Sequence, residues 1–419
     1  MRGRVQEGPF PIIFAPMAFK EIIGQGAVKS QLTELVQQNR LSHALLFLGP
    51  EGSGALALAL AFAQYMVCEK VHGAGSKPAA PGLFGEPAPG KQELPEKWED
   101  ACGLCPACTK ARQMVHPDIH FSYPVIPKKT GDKPLSTDFI AEWREFVSKH
   151  PYGNVYDWLQ FIGAENKQGN ITAHECNDII HKLSLKSFES EYKLLIMWMP
   201  EYLGNEGNKL LKLIEEPPPN TLFILVAENE SLILQTILSR TQLVKIPALE
   251  TADISGALIQ RNGISPEQAG QVASISEGNY HEALQLLQHA DEDWFGLLRE
   301  WLNAILKTGP SAQVKWIEEV SKMGRERQKQ FLRYFNHILE QAIRLSVLDG
   351  LPVPMTEKEK EFTLRLNRLT GIAEQQEIIR EIDRATYFIE RNANAKMLFH
   401  ALTIKIYHII AHKTVATML

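Results

Sequence analysis

The chain has 419 residues, more than one hydrophobic core usually serves, so two to three domains are expected. Hydrophobic residues make up 44% and charged residues 22%, and no apolar run reaches membrane-spanning length, which excludes a helical membrane protein. A formal net charge of −5 excludes a protein that grips nucleic acid over its whole surface, although local basic patches stay open.

Residues 1–16 contain Pro9, Pro11 and Pro16 and lack periodicity, so they read as a disordered N-terminal extension without a signal-peptide cleavage site. Met17 stands as an alternative start. Helix signals run from Val28 to Gln38. His43 to Leu48 reads as a buried strand, and Ala55 to Met66 as a nearly all-apolar buried helix. Between them lies Gly49-Pro50-Glu51-Gly52-Ser53-Gly54, with the glycines of the P-loop motif G-x-x-x-x-G-K-[ST]. In that motif backbone N–H groups cradle phosphate, the lysine neutralises charge and the hydroxyl holds magnesium. Here Ala55 and Leu56 stand where lysine and hydroxyl are required. Gly49, Gly52, Gly54, Ala55 and Leu56 are therefore the residues of a degenerate nucleotide site. The plainer alternative is a chance Gly-rich turn.

Residues 69–101 carry five Gly and five Pro in 33 positions and read as a disordered insertion. Cys102, Cys105 and Cys108 follow as a C-x2-C-x2-C run, and Cys68, at the end of the P-loop helix, can supply a fourth thiolate. Four thiolates make a closed tetrahedral site, the form of structural rather than catalytic zinc. His116 is the alternative fourth ligand, and free thiols or a redox pair are the alternative use. Cys176 lies on a predicted helix and reads as a small core residue. Five cysteines in this arrangement fit a reducing, cytoplasmic compartment better than a disulfide framework.

Ile119 to Tyr123 looks like a strand, and 128–170 is a second polar stretch with a helix near Phe139 to Ser148 and no legible role. A helix across Ile171 to Leu183, a strand at Lys193 to Met199, and a helix at Gly207 to Glu216 stopped by Pro217 come next. A strand at Leu222 to Ala227, a short helix at Leu232 to Leu238 and a strand at Leu243 to Ile246 complete the alternation. Apolar, unalternating strands separated by helices predict a parallel sheet covered on both faces.

A working P-loop ATPase needs an acidic residue at the end of the next core strand to position magnesium. Trp198 and Met199 end this one, and Glu201 arrives only after Pro200, a second loss. Ser239-Arg240-Thr241 precedes the last strand. An arginine so placed can be an arginine finger that stabilises charge on a neighbour's phosphate. The commoner fate of a lone arginine is a helix-end or surface pair. After Pro247 the pattern is helical: a small unit over 251–290, then a larger bundle over 291–419 with Leu332, Phe335, Leu339 and Ile343 at three and four spacing.

Ile22-Ile23-Gly24-Gln25, the His43 to Gly54 strand and loop, the four cysteines, His116-Pro117-Asp118, the Asn208 to Pro218 string and Ile237-Leu238-Ser239-Arg240 together resemble the clamp-loader AAA+ family of bacterial DNA polymerase III, its delta-prime branch most closely. The resemblance covers most of 17–290 and, more thinly, Asn392 to Lys396 and the final helix. It implies an α/β plus all-α architecture: a degenerate AAA+ P-loop domain over 17–248 with a zinc module (68–108) and the insertions at 69–101 and 128–170, a helical lid over 249–290, and a helical collar over 291–419. It also implies a hetero-pentamer with gamma/tau ATPase and delta subunits that loads a sliding clamp on primed DNA. In that assembly this chain would hydrolyse no ATP and would donate Arg240, beside Ser239, in trans. Thr241 replaces the family's usual cysteine, and His281 falls where motor subunits carry a nucleotide-sensing arginine, a third loss. Two other readings remain: a divergent motor-type ATPase whose loop backbone still binds phosphate, and a zinc-module DNA-binding protein.

Overall fold

The structure is a computed structural model and describes residues 18–71, 99–129, 131–164, 169–288, 293–347, 355–390 and 393–412. The expected N-terminal extension, Met17 and most of the first insertion lie outside the described residues.

Among the described residues, β1 (Ala44–Leu48), β2 (Ile119–Ser122), β3 (Lys193–Trp198), β4 (Thr221–Ala227) and β5 (Gln242–Lys245) form one sheet in the order β2-β3-β4-β1-β5. Every pairing is parallel, with Ala44 opposite Phe223 and Leu46 opposite Leu243. The C-terminal ends of the strands therefore share one rim and the N-terminal ends the other. Every residue of β3 and β4 is buried, because helices cover both faces, and that burial is why neither strand alternates. Two helices flank β1 in the chain: α1 (Gly26–Gln37) before it and α2 (Ala55–Val67) after it. All of α2 is buried and, Gln64 apart, it is apolar all round; it packs on β1, β3 and β4. On the opposite face Ile179, Leu183, Leu210 and Ile214 pack against Leu195, Met197, Phe223 and Leu225. Cys176 sits in this layer, fully buried, its thiol 3.6 Å from the Glu206 carbonyl.

Two expected helices take other forms. Pro200–Leu210 winds in 3-10 turns, and only Leu211–Glu215 is α-helical. The cause lies at the exit of β3, where Met199 is left-handed (φ 58) and Gly204 adopts φ 50, ψ −141, a conformation open to glycine. Leu232 to Leu238 is likewise a 3-10 turn at Glu230–Leu232 followed by one α turn at Gln235–Leu238. In the second insertion a helix spans Ile140–Lys149, near its expected place, and a further helix spans Val155–Phe161.

The chain divides into two compact units, one formed by residues up to Ile264 together with Glu277–Glu282, the other by Ser265–Ser276 and Ala283 onward. The second unit is helical. Its core stacks Trp301 on Trp316 at 4.6 Å, and the Trp301 indole N–H donates to Thr403 Oγ1 at 3.0 Å. Leu332, Phe335 and Leu339 enter that core, with Ile343 half-buried beyond them. None of the described helices is long and apolar enough to cross a membrane.

His337 is buried on the same long helix, Arg325–Val347, with Nδ1 3.5 Å from Gln341 Nε2, and burial lowers its pKa to about 4. An unfolded histidine titrates near about 6.5, so between the two values the unfolded chain binds the extra proton. Stability is then intact above the unfolded value and falls as pH drops toward the folded one. From about pH 7 to about pH 5 this group is expected to remove about 2 kcal/mol. Urea titrations at the two pH values check it: His337→Gln should shed that part of the pH slope, and an unchanged slope would place the source elsewhere.

Candidate functional site

The loop after β1 follows the P-loop path. Gly49 N–H donates to the Ala227 carbonyl at 3.1 Å, fixing the loop to the end of β4, and α2 begins at Ala55. Gly52 (φ 70) and Gly54 (φ 86) are left-handed, and neither has room for a side chain. A Cβ on Gly52 would collide with the Asn279 carboxamide, and one on Gly54 would lie 2.7 Å from Tyr152 Cε1. Ala55 and Leu56 are buried and line, with Gly49, Tyr152, Trp198 and Met199, a cavity of about 20 Å³. That is room for about one water, whereas small-molecule sites occupy about 300 Å³ or more.

The space is taken by side chains, of which the sequence pattern marks Gln25 but not Tyr152. Tyr152, from the second insertion, is 4% exposed, accepts the Ile23 N–H at 2.9 Å and packs edge-on against Tyr280 at 5.0 Å. Gln25 donates to the carbonyls of Ser53 (3.1 Å) and Pro247 (2.7 Å). At the strand end where magnesium chemistry needs a carboxylate, Trp198 lies 5.3 Å from Trp143. Glu201 is spent on the backbone, accepting from Glu228 N (2.7 Å) and Asn229 N (2.9 Å), and burial pushes its pKa up. His281 Nε2 sits 3.0 Å from Asp157 Oδ2. A tyrosine between Pro151 and Gly153 is a weak local signal. Only the return of the insertion over the loop gives it meaning.

Arg240 follows the one-turn helix Gln235–Leu238 and enters β5 at its N-terminal end. Its Nε donates to Glu215 Oε1 at 2.6 Å, Nη2 pairs with the same oxygen, and Nη1 donates to the Thr236 carbonyl at 2.8 Å and to Ser239 Oγ at 3.2 Å. With His43, Glu215 and Ser239 it borders an open cleft of about 430 Å³. His43 precedes β1, whereas Gly49 follows it. In a parallel sheet this puts Arg240 on the N-terminal rim and the loop on the C-terminal rim, about 13 Å apart along a five-residue strand. Arg240 therefore stands a strand's length from its own chain's loop.

Cys68, Cys102, Cys105 and Cys108 converge, all four Sγ atoms lying within 4.8 Å of one another. Cys68 ends α2, and Cys105 caps α3 (Pro106–Arg112). Cys102 N–H points at Cys68 Sγ, Cys105 N–H at Cys102 Sγ and Cys108 N–H at Cys105 Sγ, each at 3.4 Å. Such bonds stabilise thiolates. Cys102 and Cys108 sulfurs are 3.9 Å apart, close to the about 3.8 Å edge of a tetrahedron with 2.3 Å Zn–S bonds. A hydrogen bond from Cys108 holds the Cys68 thiol down to about 4, and the same bond pushes the Cys108 thiol up. The donor set and spacing fit one tetrahedral metal ion. His116 stands apart from the set, its Nδ1 accepting Asp118 N–H at 3.2 Å and its Nε2 3.3 Å from Glu189. Asp118 in turn accepts the N–H groups of Phe188, Glu189 and Ser190 at 2.5, 2.9 and 2.8 Å, so His116-Pro117-Asp118 organises a loop.

A family model described as DNA polymerase III, delta subunit, matches residues 24–80 and 91–250. The chain is 26% identical over 263 residues to DNA polymerase III subunit delta' of Bacillus subtilis, covering 62% of this chain and 59% of the relative. It is 24% identical over 336 residues to subunit tau of the same species, covering 78% and 47%. With subunit delta' of Pseudomonas aeruginosa it shares 28% over 217 residues, covering 52% and 45%. The chain thus spans about three-fifths or less of the length of these relatives. Among solved structures, a DNA polymerase III gamma-subunit-related protein of Thermotoga maritima aligns with TM-score 0.31 at 14% identity, covering 90% of this chain and 98% of that one. RuvB of the same species aligns at 0.36 and 13%, covering 81% and 82%.

Proposed function

This chain belongs to the DNA polymerase III delta-subunit family, and on that premise we propose that it is the delta-prime-type, non-hydrolysing subunit of a clamp loader. It assembles with gamma/tau-type ATPase subunits and a delta subunit in a hetero-pentamer. That assembly places a sliding clamp on primed DNA in the bacterial cytoplasm. Its degenerate AAA+ module, lid and collar hold it in the ring, and Arg240 completes the neighbouring motor site.

One observation carries the reading. The chain pairs a loop stripped of lysine, hydroxyl and strand-end carboxylate with an arginine on the opposite rim of the sheet, too far from that loop to serve it. The guanidinium is held meanwhile by Glu215. Exposed pairs of this kind are worth about 0–1 kcal/mol, so a phosphate displaces the carboxylate readily.

The match to tau favours a motor-type ATPase, yet Ala55, Leu56 and Trp198 remove the groups a motor uses. Reconstitution with the cognate motor and delta subunits, clamp and primed DNA separates the two. The silent reading expects no turnover from this chain alone and no clamp loading when it is omitted. Turnover by the isolated chain would establish the motor reading instead.

A further inference from the structure

We infer that the second insertion, through its described residues 131–164, is a plug that occupies the nucleotide cradle with the chain's own side chains and holds it in one state whatever the nucleotide supply. The inference goes beyond the proposed role and does not need Arg240 to act in trans.

The insertion is anchored where it leaves and returns. Val125 and Asn170 exchange backbone hydrogen bonds at 3.1 and 3.0 Å, and the Trp158 indole N–H donates to the Pro124 carbonyl at 2.7 Å. Its aromatic residues pack on the end of β2, with Trp143 stacked on Tyr123 at 4.1 Å and Trp158 edge-on to both. That core lies on Trp198, the residue at the end of β3. A rigid platform is thereby built over the rim where a nucleotide would sit.

From this platform three side chains reach the loop region. Tyr152 meets Gly54 and Ile23, Asn154 Nδ2 donates to Glu51 Oε1 at 3.1 Å, and Asp157 pairs with His281. Asn279 Nδ2 donates to the same Glu51 oxygen at 3.3 Å, so the loop is gripped from two sides. These ties join the P-loop, the segment before α1 and the Asn279–His281 turn, which a bound ligand would otherwise have to bring together.

The substitutions then gain a physical reason. An open cradle lined by Ala55, Leu56 and Trp198 would expose apolar surface to water. Under the plug these residues are 9%, 5% and 3% exposed. Apolar residues at the former lysine, hydroxyl and carboxylate positions are the complement of an aromatic plug, and a lysine or carboxylate there would be buried without its phosphate or magnesium.

The test uses the full chain and two readouts. Hydrogen exchange should find the Ile23 and Gly52–Leu56 amides protected in the wild type and unmoved by millimolar Mg-ATP. Tyr152→Ala should speed them by about tenfold or more, and Tyr152→Phe, which keeps the ring, should free Ile23 alone. Equal exchange in wild type and Tyr152→Ala would overturn the plug. The second readout is calorimetry with Mg-ATP on Ala55→Lys/Leu56→Thr, with and without Tyr152→Ala. Binding only when Tyr152 is also replaced is the expected result. Binding with Tyr152 in place would show that the insertion yields to nucleotide and overturn it. If neither variant binds, the exchange data decide.

Discussion

Replacing Arg240 by alanine in a reconstituted loader is expected to lower ATP turnover at the adjoining motor site by about 10³-fold, the lower range for loss of an arginine finger. Total turnover falls by that site's share, and clamp loading falls with it. The size follows from the chemistry: a guanidinium in a dry interface stabilises charge that develops on the transferring phosphoryl group. Arg240→Lys is expected to restore little, because a point charge does not reproduce the planar fork. Folding should be nearly untouched, since the Glu215 pair is about one-third to one-half exposed on each side and its loss costs about 1 kcal/mol at most. Single-turnover hydrolysis with clamp and primed DNA, alongside size-exclusion of the assembly, provides the check. Wild-type hydrolysis by an intact Arg240→Ala assembly would reduce Arg240 to a surface pair.

Loss of the cysteine-bound metal is expected to have the next largest effect. Elemental analysis should give one zinc per chain and none for Cys102→Ser, and cobalt exchange should produce the absorption of a tetrahedral thiolate site. Stripping the ion leaves four buried or half-buried thiols gathered at the end of α2. Because α2 is buried throughout its length, the disturbance reaches the sheet core rather than a surface loop. A fall in melting temperature of about 10 °C, corresponding to about 3–4 kcal/mol, is expected. DNA binding by the assembled loader should survive at temperatures where the apo chain stays folded. Selective loss of DNA contact under those conditions would favour the zinc-module DNA-binding reading, and absence of stoichiometric metal would remove the site.

The residues that carry the family resemblance act through short-range geometry, and that is why they were legible. Glycines at fixed spacing after an apolar strand force a P-loop path, so the meaning of Ala55 and Leu56 is set within a few residues of Gly54. Three cysteines spaced by two residues place their sulfurs together through one tight turn and the start of α3, and Cys68 completes the set from the end of α2. Apolar β3 and β4 announced a sheet covered on both faces in the same local way.

The long 3-10 passage at Pro200–Leu210 was not legible, because it follows from the left-handed exit at Met199 and from Gly204 rather than from helical periodicity. Nor was Glu215 as the partner of Arg240, since two segments far apart in sequence meet only on the folded surface.

Residue identity at fixed spacing was enough to show the loss of the phosphate-binding groups and the gathering of thiols, because backbone geometry over a single turn determines both. Packing of distant segments decided which groups fill the cradle and which carboxylate holds Arg240. A cavity is filled by whatever side chains the long-range topology delivers to it, and Tyr152 reaches Gly54 only after the insertion has been anchored at Val125 and Asn170.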